Sequence, residues 1–444
     1  MAASAHMATR ANAGGYGRRL WGVPIVVVFF FLGMVLPTAI SVSAGGLRLS
    51  AYRVVLLVMF VPMLFTLISG KRGALNIFDG FAIAHSVWAL LALIKWGGLA
   101  QGIESGGIYI VEALGAYLVG RLYIRSVEDF NAMARAYVAL VVGMLAFTIP
   151  EAVTGNHILK DGAASIFGGP RAHYIDKRMG LERAFGSFDH PILYGVFSAS
   201  AFSMAYYICA RATLTNFKGM ALAMGIVVAT FISASGGPYV VLLMQIFVAG
   251  YDRAMKGITG RWRMLFTFFG LVYLAIDLFS NRTPFHVFVS YFTFSAHSAY
   301  NRINIWIYGT AEVGRNPIFG IGLGDWIRAP WMSDSMDNFW LLITVRYGLP
   351  ALFFLLALML GLVIAAGRRK NLPKDWINAR HAWAFTLFGI SVAAATVHLW
   401  NALFVLFMFL VGSGAWLVDT KPRSPRAPAP RNFVRPIGRP QTLF

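Results

Sequence analysis

The chain has 444 residues, of which 58% are apolar or aromatic and only 13% are charged. Soluble domains are about 45–50% apolar and about 25% charged, so this composition excludes an ordinary soluble enzyme and a disordered chain. A membrane-spanning helix needs about 20 apolar residues, which leaves room for about ten to twelve spans with their loops. The sequence therefore predicts an all-α, polytopic membrane protein.

The net charge is +20, from 38 Lys and Arg against 18 Asp and Glu. These basic residues stand in short loops between apolar runs, where a bias of positive charge towards the cytoplasm is the usual cause. We therefore expect no nucleic-acid partner. Cys209 is the single cysteine, which excludes an intramolecular disulfide and a cysteine metal cluster.

Apolar runs, charges and helix breakers predict a transmembrane helical bundle of about 12 spans over residues 21–418. Two long apolar stretches are each split into two spans, one around Gly236-Gly237-Pro238 and one before Trp400. The predicted spans lie near residues 21–41, 51–69, 75–97, 105–122, 135–153, 191–210, 219–235, 238–251, 264–280, 338–366, 381–398 and 400–418.

One set of loops, with both termini, holds 25 of the 38 Lys and Arg residues and should be cytoplasmic. The N-terminal segment 1–20 and the C-terminal tail 421–444 then both lie inside, and twelve spans satisfy this requirement. The tail has six prolines, six basic residues and no acid. We expect it to be disordered and to rest on anionic membrane lipid.

Two outside loops, about 154–190 and 281–337, are longer than simple connectors and are rich in aromatic residues. Loops of this length are usually functional or disordered, and their apolar content favours packing. In the second loop, apolar residues at helical spacing predict an amphipathic surface helix over 299–314, which includes Trp306. Asn316-Pro317 should end this helix, and Arg302 stands near its start.

Gly320, Gly322 and Gly324 alternate in the second loop. One interpretation is a tight turn that folds under the helix. The other is a loop whose backbone amides face a diphosphate.

In the first loop, Arg183 and the sequence Asp189-His190-Pro191 stand just before the sixth span. Arg183 is either a functional cation or a structural charge, exposed or paired with Glu182 or Asp189. Arg346 is predicted about 12 Å below Asn338 in the tenth span, at about 1.5 Å per residue. Buried arginines in membranes usually face a polar interior, so Arg346 either holds diphosphate, lines a lipid portal, or pairs with Asp277 or Glu151.

These motifs, in this order within twelve spans, resemble those of the bacterial O-antigen ligase and O-antigen polymerase family. The resemblance rests on the residues Arg302-x3-Trp306, Asn316-Pro317-x2-Gly320-x-Gly322-x-Gly324, Asn338 at the mouth of a span, Arg346-Tyr347-Gly348-Leu349-Pro350, Arg183-x2-Gly186-x4-Pro191 and Ser233-Ala234-Ser235-Gly236.

The resemblance implies an inverting glycosyltransferase of the bacterial inner membrane, acting on the periplasmic face with an undecaprenyl-diphosphate-linked donor and no cofactor. The acceptor would be a glycan or a lipid A core, and polysaccharide assembly and export proteins are expected partners. It implies that Arg183 and Arg302 act on the diphosphate, because arginine donates bidentate hydrogen bonds to phosphate. It also makes Asn338, Arg346, His190, Trp306 and the three glycines substrate-binding residues.

Asp337 stands where ligases of the family have a histidine. The resemblance therefore favours a polymerase of exopolysaccharide or O-antigen units, with Asp337 as the acceptor-side base. The alternative for Asp337 is an N-cap of the tenth span. His190 and His297 are substitute bases, and each is alternatively a structural histidine.

Three other functions compete with this prediction. One is a ligase that moves the glycan to lipid A core, and another is a transporter or flippase of polysaccharide or lipid-linked oligosaccharide, which twelve spans and broken helices permit. The third is an assembly or interaction protein. Polar residues concentrate in the two outer loops, not at mid-membrane, and no internal repeat is visible, which favours the enzyme.

Overall fold

The computed structural model describes residues 18–44, 47–169, 171–291 and 296–421. Within these ranges strands form two short antiparallel hairpins, β1 (Arg19–Leu20) with β2 (Val23–Pro24) and β3 (Ser41–Ala44) with β4 (Leu47–Ser50). Nearly everything else of regular structure is helical, which confirms the predicted all-α class. The predicted N-terminal segment 1–20 and tail 421–444 lie almost entirely outside the described residues.

The helices differ in length from single turns to long rods. They are α1 (Ile25–Val35), α2 (Ala51–Ile68), α3 (Ile77–Ile110), α4 (Ala116–Tyr123), α5 (Val127–Thr154), α6 (Ile158–Phe167), α7 (Pro191–Ser200), α8 (Phe202–Met204), α9 (Phe217–Ile232), α10 (Gly236–Ala254), α11 (Arg261–Phe279), α12 (Pro284–Tyr291), α13 (Ala296–Arg315), α14 (Phe339–Arg368), α15 (Lys374–Ala393), α16 (Ala402–Gly412) and α17 (Trp416–Asp419). Two π-helical turns, Val111–Gly115 and Ala205–Cys209, continue α3 and α8.

Seven helical segments of the described chain are long and apolar enough to cross a membrane, which confirms a helical membrane protein. The count of twelve spans stays a prediction. The first predicted span, 21–41, is too long: α1 has 11 residues, or about 16 Å at 1.5 Å per residue, because strands flank it on both sides.

The longest helical segment, Ile77–Tyr123, is a hairpin and not one rod. Gly98 has φ +73° and ψ 177°, outside the helical region, and the chain reverses there. A Cβ at Gly102 would collide with the backbone of Ile94, and one at Gly106 would lie 3.1 Å from the Cα of Leu90. Glycine at both positions lets the two arms approach closely, as small residues do between membrane helices. The separate helices predicted over 75–97 and 105–122 are these arms.

The other two predicted splits also coincide with breaks. α9 ends at Ile232 and α10 begins at Gly236, so the break lies slightly before Gly236-Gly237-Pro238. α15 and α16 are separated by residues 394–401, and Trp383 of α15 donates from Nε1 to the carbonyl of Leu410 at 2.7 Å, so the chain folds back on itself.

One end of the bundle is held by a buried ion pair. Arg121 and Asp79 both have fully buried side chains, and the guanidinium Nε lies 2.9 Å from the carboxylate. Asp419 at the end of α17 lies 2.7 Å from another nitrogen of the same guanidinium. These contacts fasten the last helix to the α3 hairpin.

The opposite end carries two long connections, residues 155–190 before α7 and residues 280–338 before α14. Arg302 of the second connection donates to the carbonyl of Thr396 and lies within electrostatic range of Arg178 of the first, so both connections meet at one end of the bundle. We call this end the loop face. Helix α13 covers the predicted helix 299–314 and ends at Arg315, immediately before Asn316-Pro317.

Candidate functional site

The first connection holds Arg183 through a buried carboxylate. Glu151 of α5 accepts hydrogen bonds from the amides of Phe185 (2.8 Å) and Gly186 (3.0 Å), so the chain directly after Arg183 is fixed to the bundle. Arg183 itself is 7% exposed and donates from Nη2 to the hydroxyl of Ser235 at 2.6 Å. Its Nε is buried and has no hydrogen-bond partner among the described residues. A buried donor of this kind is costly unless a ligand satisfies it.

The two carboxylates expected as alternative partners of Arg183 bind other cations. Glu182 pairs with Lys177 at 2.9 Å, and Asp189 pairs with Lys160 at 3.3 Å. Burial and the neighbouring charge of Arg178 lower the pKa of Arg183 to about 10. The guanidinium is therefore a poorly compensated positive charge, which an anion would stabilise.

His190 is the N-cap of α7 and lies beside this cation. Its Nδ1 accepts the amide hydrogen of Ile192 at 3.1 Å, so the neutral ring carries its proton on Nε2. Burial, followed by the charge of Arg183, lowers the pKa of His190 to about 4. Because the cap uses the lone pair of Nδ1, the neutral ring presents Nε2 to the site as a donor. The role of His190 as a substitute base stays a prediction. His297, the other substitute, is exposed near the start of α13.

The second connection brings Arg302 and Asp337 to the same place. Arg302 donates from Nε to the carbonyl of Thr396 at 3.1 Å. Burial lowers the pKa of Arg302; the negative charge of Asp337 raises it, and the positive charge of Arg178 lowers it further. Burial raises the pKa of Asp337 against the opposing effect of Arg302, and its carboxylate accepts from the hydroxyl of Ser335 at 3.2 Å. Arg178 thus interacts electrostatically with both predicted catalytic arginines.

The N-cap of α14 is Asn338 and not Asp337. The side-chain oxygen of Asn338 accepts the amide hydrogen of Leu341 at 3.0 Å, and the residue is 3% exposed. The structural alternative for Asp337 is therefore wrong. Asn338 performs a capping role, and its predicted contact with substrate stays a prediction. Trp306 stacks on Phe285 with the ring centres 4.4 Å apart, so one face of its indole is already covered.

The glycine loop packs into a broken helix. Gly320 donates to Asn316, Gly322 donates to Arg346 at 2.9 Å, and Gly324 donates to Ile321, in each case to a carbonyl oxygen. These amides are occupied, which favours the tight turn over the diphosphate-binding interpretation.

The break that receives the loop is Gly348 in α14, with φ +84°. A Cβ there would collide with the carbonyl of Ile318. Trp88 of α3 fixes the same junction by donating from Nε1 to the carbonyls of Ile318 and Tyr347, each at 3.1 Å.

Arg346 precedes this break and lines a cavity of about 400 Å³ at the loop face. The cavity is also lined by Asp334, Ser335, Trp326 and His398. Glu151, one predicted partner of Arg346, instead binds the backbone of the first connection. The cavity is therefore a polar chamber, and its wall includes Ser335, whose hydroxyl donates to Asp337.

His398 was not found from the sequence. Burial and the charge of Arg346 lower its pKa to about 4. Its ring centre lies 5.4 Å from that of Trp400, which lies 6.1 Å from that of His190. Trp400 thus stands between the polar chamber and the cations of the first connection. Thr396, His398 and Asn401 mark the break between α15 and α16 in the sequence, but no local signal indicates that His398 will lie near Arg346.

No protein-family model matches the chain, and no curated protein matches it at a significant level of sequence similarity. Inference about function therefore depends on the chemistry of this site. The site combines one buried arginine, Arg183, whose charge is poorly compensated, with a carboxylate whose pKa is raised by burial and an adjoining polar cavity.

Proposed function

We propose that the protein is a membrane glycosyltransferase that polymerises or transfers glycan units carried on undecaprenyl diphosphate, in exopolysaccharide or O-antigen biosynthesis. The observation that carries the proposal is the buried guanidinium of Arg183, whose Nε lacks a partner among the described residues. Arg178 adds a second positive charge nearby. A diphosphate supplies the negative charge and the acceptor oxygens that this arrangement lacks.

The proposed reaction replaces one bond to the anomeric carbon of the donor sugar with another. The acceptor hydroxyl oxygen attacks that carbon while its bond to the phosphate oxygen breaks, and the electron pair leaves with the diphosphate. Arg183 and Arg302 stabilise the charge that develops on the leaving group, which requires cations more than a general acid. The hydroxyl proton passes to the carboxylate of Asp337.

Asp337 suits the role of base because burial raises its pKa towards neutral pH, and a general base works best when its pKa is near the working pH. The polar chamber beside it, lined by Arg346 and Asp334, offers space of about 400 Å³ for the acceptor glycan. A carboxylate at this position favours the polymerase. The ligase that uses lipid A core as acceptor is the alternative within the class.

The loop face is then the periplasmic face of the bacterial inner membrane, and both termini are cytoplasmic. The excess of basic residues in the other loops supports this orientation. Alkaline phosphatase fused after Gly169 should be active, and fused after Arg263 it should be inactive. The reverse pattern would overturn both the orientation and the placement of the site.

The proposal is tested by adding a lipid-linked repeat unit to the purified protein and measuring glycan length. We expect wild-type protein to lengthen the glycan, and Arg183→Ala and Arg302→Ala to abolish transfer. Arg183→Lys should retain little activity because a point charge does not reproduce the guanidinium fork. Arg282→Ala removes an exposed arginine of the same loop face and should act like wild type.

Full activity in Arg183→Ala and Arg302→Ala would contradict the proposed roles of these arginines. Movement of the lipid-linked unit across vesicles without any lengthening would instead support the transporter, which the broken helix at Gly348 favours.

A further inference from the structure

An apolar groove opens on the outer surface of the bundle between the start of α2 and the second arm of the α3 hairpin. It has a volume of about 350 Å³, and its walls include Leu57, Ile103 and Ile108. Leu57 and Ile103 are 42% and 53% exposed, so they face the surroundings of the bundle. In a membrane those surroundings are lipid chains.

A charge pair forms one end of this groove. Arg53 donates from Nε to the carboxylate of Glu112 at 2.8 Å, and the hydroxyl of Tyr52 donates to the same oxygen at 3.2 Å. Glu112 lies in the π-helical turn that follows α3, and such turns often mark functional positions in helices. Ionisable residues at membrane depth are costly and usually line a polar path.

Arg53 also lines a second cavity, of about 290 Å³, on the inner side of the charge pair. That cavity is bounded by Ser187, Asp189 and Asn401. Asp189 is bound to Lys160 and directly precedes His190. Arg53 therefore lines both cavities, and the second cavity reaches the first connection at Asp189, which binds Lys160.

The groove lies in the half of the bundle nearest the loop face. Gly98 reverses the hairpin at this face, where a Cβ at Gly322 would lie 3.0 Å from that of Trp96. Gly107 is nine residues further, about 14 Å away at 1.5 Å per residue. A lipid whose head group lies at the loop face would place its chain at this depth.

We propose that this groove holds the isoprenoid chain of the polyprenyl diphosphate, with the diphosphate against Arg183 and Arg178. The inference rests on the proposed function and extends it to the lipid part of the donor. The occupant is a polyprenyl chain because the first connection carries the cations that a diphosphate head group needs. The two cavities that Arg53 lines extend from Asp189 of that connection to the apolar walls of the groove. An ordinary phospholipid chain is the competing occupant.

Gly107 offers a direct way to fill the groove. A Cβ at this position would meet no described atom within 4 Å, so a large side chain enters open space without displacing backbone. Gly143 of α5 is exposed and has equally open surroundings on another helix. Gly107→Trp is therefore the test variant, Gly143→Trp is its matched control, and Leu57→Trp is a second variant that narrows the same groove.

The experiment uses an undecaprenyl diphosphate analogue with a photoreactive diazirine in its isoprenoid chain, incubated with the full-length protein in detergent. We expect labelled peptides from residues 103–112, and competition by undecaprenyl diphosphate but not by phosphatidylglycerol. Gly107→Trp and Leu57→Trp should each reduce both labelling and glycan transfer by about tenfold or more, since a loss of about 1.4 kcal/mol of binding is tenfold. Gly143→Trp should match wild type, and all variants should elute as monodisperse protein.

Unchanged labelling in both Gly107→Trp and Leu57→Trp, or equal competition by phosphatidylglycerol, would overturn the inference. If that occurs while Arg183→Ala still abolishes transfer, the groove assignment fails and the proposed function stands. Specific labelling in a protein that transfers no glycan would instead keep the polyprenyl groove and contradict the glycosyltransferase.

Discussion

Replacing Asp337 by Asn tests the proposed base with little change in shape. Asn338, not Asp337, caps α14, so the helix terminus keeps its hydrogen bond to Leu341 in this variant. The amide of the new side chain still accepts from Ser335, but it cannot take a proton. General-base catalysis contributes about 100- to 10,000-fold, so the turnover number for glycan lengthening should fall by an amount in that range.

The pH dependence sharpens this prediction. Burial raises the pKa of Asp337, and only the ionised carboxylate acts as a base. Wild-type activity should therefore fall as the pH drops through a pKa above the ordinary aspartate value of 3.8, and the Asn variant should lack this step. Initial rates at saturating donor, measured across the pH range, give both the magnitude and the profile. Donor affinity should change little because Arg183 and Arg302 remain.

The neighbouring cap supplies the control. Asn338→Asp keeps an N-cap residue and should leave stability almost unchanged, whereas Asn338→Ala should cost about 1 kcal/mol. Near-normal turnover with an unchanged pH profile in Asp337→Asn would refute the base assignment.

Three further predictions concern stability. Arg121→Ala should destabilise the protein by about 3–5 kcal/mol because it leaves the carboxylate of Asp79 buried without its cationic partner. Thermal unfolding in detergent measures the loss. Gly348→Ala should lower the unfolding temperature far more than Gly98→Ala. Both positions have positive φ, which costs an alanine about 1–2 kcal/mol, but only at Gly348 would the new Cβ collide with backbone, the carbonyl of Ile318. Equal losses in the two variants would contradict this packing. The pKa of His190 is lowered from 6.5 to about 4 in the folded protein, so the unfolded state binds more protons between these pH values. The free energy of unfolding should therefore fall as the pH drops from about 6.5 to 4. His190→Asn, which keeps an N-cap residue, should weaken this dependence.

Local signals predicted the elements that depend on neighbouring residues. Asn316-Pro317 placed the end of α13 at Arg315, because proline restricts the residue before it. The splits around Gly236-Gly237-Pro238 and before Trp400 also followed from a local cue, since an apolar stretch too long for one crossing must be broken. The first span was predicted too long because hydropathy alone did not mark the ends of α1, which begins directly after Pro24 and ends shortly before Pro37.

The organisation of the site depends on contacts that periodicity does not reveal. Arg183 donates to Ser235, 52 residues away, and its location was predicted without this partner. The three glycines were predicted to form a turn or an anion site, but the amide of Gly322 binds the carbonyl of Arg346, at a helix break more than twenty residues later. His398 was missed because a lone histidine in an apolar stretch carries no sign that Arg346 will lie beside it.

The most direct test of the central claim is the affinity of the purified protein for undecaprenyl diphosphate. A hydrogen bond to a charged group contributes about 1.5–3 kcal/mol, so Arg183→Ala should raise the dissociation constant by about 10- to 150-fold. Arg282→Ala, which removes an exposed charge from the same face, should leave it unchanged. Equal affinity in wild type and Arg183→Ala would contradict a diphosphate site at the buried arginine.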